Sequence, residues 1–198
     1  MLAICNSFAF IDLYKSDKEI LPEGYKKIYT SGTFGMENKF QIYRKGNTAV
    51  FNFRGTTTQT MSWMENIHAA MIPAKGDMLI NGEKISYAFA HHDSAAVHSG
   101  YALAIAFLAK DIEYHLYNLD QQGVHDIIIT GHSQGGALAQ MLKAYVENNR
   151  GENISEDFFF KTYSFANPKC GNKEFALEYN ERFQDDESSF SIINPADP

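Results

Sequence analysis

The feature that most constrains this 198-residue chain is a short apolar run, Asp126-Ile127-Ile128-Ile129-Thr130, that passes through Gly131-His132-Ser133-Gln134-Gly135-Gly136 directly into a second apolar pattern. The run is continuous rather than alternating, which predicts a strand buried on both faces inside a parallel sheet. Leu138, Met141, Leu142 and Tyr145 follow at the three- and four-residue spacing of a helix. A strand that becomes a helix within so few residues forces Ser133 into a sharp, strained turn, with its hydroxyl standing above the sheet edge. Gly131 and Gly135 are the small neighbours that such a turn requires.

The rest of the chain continues the rhythm. Gln41 to Phe53 reads as a hairpin split by Lys45-Gly46-Asn47. Tyr101, Ile105, Leu108, Ile112, Leu116 and Leu119 lay one apolar stripe along a long helix that stops near Gly123. A strand over Phe158 to Phe165, a short helix from about Asn172 to Phe183 and a last strand over Phe190 to Asn194 complete the pattern. Strands alternating with helices predict an α/β fold, a mostly parallel sheet flanked by helices, in a single domain over 1–198. Pro73 to Ser94 shows no clear period and is expected to form a loop over one edge of the site.

Charge and composition narrow the function classes. A net charge of -7 and no basic stripe exclude nucleic acid as a partner, because phosphate binding needs clustered Lys and Arg. No segment approaches the length of a membrane span, and Met1 to Asn6 lacks the basic start of a signal peptide. The two cysteines, Cys5 and Cys170, are too few for a disulfide framework, and the sequence leaves open whether they meet. His91-His92-Asp93 reads as a polar loop, so no metal site is expected.

The chemistry centres on Ser133 as a nucleophile. A helix beginning at Gln134 aims its first N–H groups and positive dipole end at the place where a tetrahedral intermediate would carry its oxyanion. The backbone N–H of Gln134 is therefore the first oxyanion donor. Phe53-Arg54-Gly55-Thr56 leaves an apolar strand through a glycine, and Thr56 can offer both its N–H and its hydroxyl as the second.

The sequence resembles the class 3 lipases, the family of the fungal triacylglycerol lipases, from about Phe40 to its end. The blocks that carry the likeness are Val50-Phe51-Asn52-Phe53-Arg54-Gly55-Thr56, Val97-His98-Ser99-Gly100-Tyr101, Gly131 to Ala139, and Tyr163 to Asn172 followed by Phe175-Ala176. The resemblance implies an α/β-hydrolase fold and a serine carboxylic-ester hydrolase, a lipase that acts on acylglycerols or related lipid esters through an acyl-enzyme. It supports Thr56 in the oxyanion hole. It also makes Thr60 to Ile67 a candidate lid around Trp63, although Trp63 reads equally well as a core residue and Asn66 replaces the family's common acidic residue. His98 matches a position with a structural role. The implied partners are a lipid or small-molecule ester and, transiently, a lipid interface; no cofactor is implied, and secretion is compatible with the likeness.

The same resemblance makes Asp197, in Asn194-Pro195-Ala196-Asp197-Pro198, the triad acid. The family's order is serine, acid, histidine, yet all seven histidines lie upstream of Ser133. His132 is expected to pack beneath the turn rather than serve as base. The expectation is a chain that lacks the family's last strand, its histidine and the helix behind it. The alternative is a catalytically inactive hydrolase-fold domain that binds or scaffolds.

Overall fold

The computed structural model describes residues 1–7, 21–35, 37–55, 70–80 and 82–194. In chain order the elements are α1 (Leu2–Cys5), β1 (Lys26–Thr30), β2 (Phe40–Lys45), β3 (Thr48–Phe53), β4 (Met71–Pro73), β5 (Lys75–Ile80), β6 (Glu83–Ala88), β7 (Ala96–His98), α2 (Ser99–Asp120), β8 (Asp126–His132), α3 (Gln134–Asn148), β9 (Phe159–Phe165), α4 (Lys173–Tyr179) and β10 (Ser189–Ile192). A π-helical turn over Asn180–Gln184 continues α4.

A six-stranded sheet in the order β1-β2-β3-β8-β9-β10 organises these elements. The first two pairings are antiparallel, including the β2–β3 hairpin, and the pairings from β3 to β10 are parallel. The alternation within β2 and β3 sorts side chains to two faces. Ile42, Ala49, Phe51 and Phe53 join the large core with the α2 stripe Tyr101, Ile105, Leu108, Ile112, Leu116 and Leu119. Tyr43 and Val50 meet Ile4 of α1 on the opposite face. Helix α3 is buried on nearly every side, because it lies against the sheet with α2 beside it. Even Lys143 is buried there; its Nζ donates to Glu147 Oε1 at 2.7 Å and to the Phe160 carbonyl at 2.8 Å.

The stretch 73–94 is not the expected loop. Lys75–Ile80 and Glu83–Ala88 form an antiparallel hairpin, and Met71–Pro73 pairs with Ala96–His98. Asn149, just past the C-terminal end of α3, contacts the Ala88 carbonyl, so the hairpin stands at the end of α3 remote from Ser133. Cys5 and Cys170 are both buried free thiols, each pushed up to about 12 by burial. Among the described residues no helix is long and apolar enough to cross a membrane.

Strand β1 is fastened to α2 by a small polar cluster. Tyr29 OH donates to Asp111 Oδ2 at 2.9 Å, and the Tyr29 ring lies on His115 with centroids 3.9 Å apart. Burial holds the His115 imidazole below its ordinary value against the opposing pull of Asp111. The unfolded chain therefore binds this proton first as pH falls. The stabilisation is complete above about pH 6.5, the usual histidine value, and declines below it. His115→Gln is expected to flatten that limb of a urea-unfolding profile measured from pH 7.5 to 5. Identical slopes in the two chains would remove His115 as the cause.

Candidate active site

The registers bring several strand ends to one edge. Phe53 pairs with Gly131 across β3 and β8, His132 with Phe165 across β8 and β9, and Phe165 with Ile192 across to β10. The chain thus leaves β3 at Arg54-Gly55, β8 at Ser133, β9 at Ala166-Asn167 and β10 at Ile193 along the same border. A crevice at the carboxyl ends of parallel strands is the usual ligand position in such sheets.

Ser133 occupies this border in a backbone conformation of φ 55° and ψ −125°. A non-glycine residue there carries strain that only the surrounding structure can hold in place. The surroundings do so by close contact. A Cβ on Gly131 would lie 2.2 Å from the Gly135 carbonyl oxygen, and a Cβ on Gly135 would lie 2.3 Å from the Phe53 carbonyl oxygen. Gly136 is also confined, its would-be Cβ 2.9 Å from Asn167 Cβ. The glycines therefore let α3 start directly against β8 and the end of β3. Ser133 N donates to the Phe165 carbonyl at 2.9 Å, while Gly136 N and Ala137 N donate to the Ser133 carbonyl at 2.9 and 3.1 Å. Ala166, at the end of β9, is a second non-glycine residue with positive φ, 47°.

The Ser133 side chain does not cap α3, and the residue is half-buried, so its hydroxyl is available for chemistry. Gln134 is buried as the first residue of the helix. Its N–H belongs to the group that has no acceptor within a helix, which suits an oxyanion donor. Gly55 packs beside the elbow; a Cβ there would come within 2.9 Å of the His132 carbonyl oxygen. Thr56, Trp63 and Asp197 lie outside the described residues, as do the candidate lid and His68.

Most of the described histidines are engaged away from Ser133. His132 is exposed and does not pack beneath the turn as expected; successive side chains at a strand end point to opposite sides, and this one points to solvent. His98 is buried and accepts from Gly100 N at 3.1 Å, capping α2, which is a structural role. His125 meets Asp120 at 2.9 Å and His115 faces Asp111 at 3.6 Å. The backbone N–H groups of His91 and His92 donate to the Glu178 carboxylate at 2.8 and 2.9 Å, while Asp93 pairs with Lys75.

Residues that sequence reasoning did not single out also reach this border. Asn167 donates to Gln140 at 3.1 Å and, with Cys170, Tyr179 and Ser191, lines a cavity of about 460 Å³ beside α3. On the other side, Gln134 Nε2 donates to Asn38 Oδ1 at 3.3 Å. No local pattern marks Asn38, which lies 96 positions away in the chain.

A strained serine between a parallel strand and a helix, at the carboxyl edge of a mostly parallel sheet, defines an α/β-hydrolase, and solved structures share this fold. M37 lipase aligns with a TM-score of 0.65 at 20% identity, over 86% of this chain and 53% of its own. Rhizomucor miehei lipase in its propeptide complex gives 0.64 at 19% identity, over 98% of this chain and 58% of its own. A fungal lipase bound to an inhibitor gives 0.67 at 18% identity, over 98% and 68%. The chain spans little more than half the length of the first two. Comparison with curated proteins gave no match. The sequence profile of the family Lipase (class 3) matches residues 50–198, and the chain belongs to that family.

Proposed function

We propose that this chain carries the nucleophile and the oxyanion hole of a serine carboxylic-ester hydrolase acting on acylglycerols or related lipid esters. The observation that carries the reading is the elbow itself, where Ser133 is held at φ 55° by glycine contacts too close for any side chain. Ser133 Oγ attacks the ester carbonyl, and the N–H of Gln134, with Thr56, holds the oxygen that becomes negative. Collapse of the tetrahedral intermediate expels the alcohol and leaves an acyl-enzyme, which water hydrolyses. Asp197 is the acid of the triad by its place in the family pattern. Membership of the lipase family and the interfacial activation described for a fungal lipase–inhibitor complex support a lipid ester as substrate.

No base is assigned among the described histidines: His98, His115 and His125 each engage a partner elsewhere, and His132, next to the nucleophile, faces solvent. The alternative reading is a hydrolase fold that binds esters without turning them over. An aryl alkylphosphonate separates the two. The first reading expects phosphonylation of the peptide containing Ser133 together with hydrolysis of p-nitrophenyl butyrate that the reagent blocks. Neither labelling nor turnover would leave the binding domain. Turnover that persists after complete labelling elsewhere would remove Ser133 as the nucleophile.

A further inference from the structure

Among the described residues, buried side-chain atoms without a hydrogen-bond partner include Asn38 Nδ2, Gln134 Oε1 and Arg54 Nε. Asn38 and Gln134 are only 2% and 4% exposed, and the hydrogen bond that joins them uses one end of each amide. Turning both amides over exchanges the atoms left unpaired without reducing their number. A half-satisfied pair of this kind carries a desolvation penalty that two apolar side chains of similar shape would avoid. Stability therefore does not account for it.

Its position does. Asn38 closes a tight turn in which Phe34 N donates to the Asn38 carbonyl at 2.9 Å and Asn38 N to the Phe34 carbonyl at 2.8 Å. Arg54 grips the same turn from β3: its N–H donates to the Lys39 carbonyl at 2.9 Å, and its guanidinium meets the Glu37 carbonyl and the Glu37 carboxylate. The turn thus touches the end of β3, which leads toward position 56, and through Gln134 the first residue of α3. On the proposed reading these are the two segments that supply the oxyanion donors.

We infer that Asn38 is a positioning residue: with the Gln134 side chain and Arg54 it holds the end of β3 and the start of α3 at the spacing at which their N–H groups converge on one oxyanion. The inference rests on the reading of Ser133 as the nucleophile. Oxyanion donors act through preorganisation, so a small relaxation of either segment weakens the transition state more than the bound ester.

The test is the near-isosteric apolar pair Asn38→Leu/Gln134→Met, which keeps the Gln134 N–H, beside Asn38→Leu alone. The double variant is expected to melt at or above the temperature of the parent, because both polar partners are removed together. Its kcat on p-nitrophenyl butyrate falls about tenfold with KM within about twofold. The Arg54 amide, monitored by hydrogen exchange, exchanges about tenfold faster while the β8 amides are unchanged. Asn38→Leu alone melts lower and loses as much kcat as the pair, since each partner acts only through the other. A double variant with kcat within about twofold of the parent would overturn the inference. So would a lower melting temperature with exchange raised throughout, the mark of a purely structural contact. Should the parent show no Ser133-dependent turnover, the nucleophile reading fails, and Arg54 exchange alone decides the brace: unchanged exchange refutes it and selective acceleration supports it.

Discussion

On the proposed reading Ser133 forms the acyl-enzyme, so Ser133→Ala is expected to reduce turnover of a soluble ester by about a thousandfold or more. Ser133→Gly should lose activity to the same extent and yet unfold at higher denaturant. The serine sits at φ 55°, a region that costs a non-glycine residue about 1–3 kcal/mol. Glycine enters it without a clash, and even after its larger unfolded-state entropy a gain of about 1 kcal/mol is expected. The pairing of these results is informative. A serine that merely occupies a turn would give the stability gain without the activity loss. Ser133→Gly that lowers stability would mean that the strain is not held in solution.

The second large effect concerns the contact behind the elbow. Gly135→Ala would place a methyl carbon 2.3 Å from the Phe53 carbonyl oxygen and 3.0 Å from the Arg54 carbonyl, both of them backbone atoms that cannot rotate away. Helix α3 would have to shift off the end of β3, and with it the Gln134 N–H. A loss of about 3 kcal/mol or more in unfolding free energy is expected, together with the loss of activity. Gly46→Ala is the control. Gly46 also has positive φ, 56°, but nothing lies within 4 Å of its would-be Cβ, so only the backbone penalty of about 1–2 kcal/mol applies. Equal costs at the two positions would show that conformation, not close packing, governs the elbow.

Much of this fold follows from short-range pattern. The strand over 126–130 and the helix after Gly136 were legible because a buried parallel strand needs an unbroken apolar run and a packed helix needs a stripe of period 3.6. The α2 stripe from Tyr101 to Leu119 appears in the core residue for residue. The hairpin over 75–88 was not legible. Most of its residues are exposed, with Ile80 and Tyr87 the buried ones, so no alternating apolar face was written into it. The Asn81-Gly82 pair was its one signal, and that pair also suits an irregular loop.

The site divides the same way. The sequence by itself determined that Ser133 stands at a strand-to-helix turn with a helix start beside it, because the glycine spacing and the two flanking periods are local demands of backbone geometry. The resemblance also implied a structural role for His98, and its cap on Gly100 N is consistent with that. Only the tertiary structure decided that His132 faces solvent, that the hairpin stands at the far end of α3, and that Asn38 meets Gln134 across 96 residues of chain. Those outcomes depend on which strands pair and in what register. A contact between distant positions leaves no periodic trace in either segment, since it arises only when the sheet has brought their ends to the same edge.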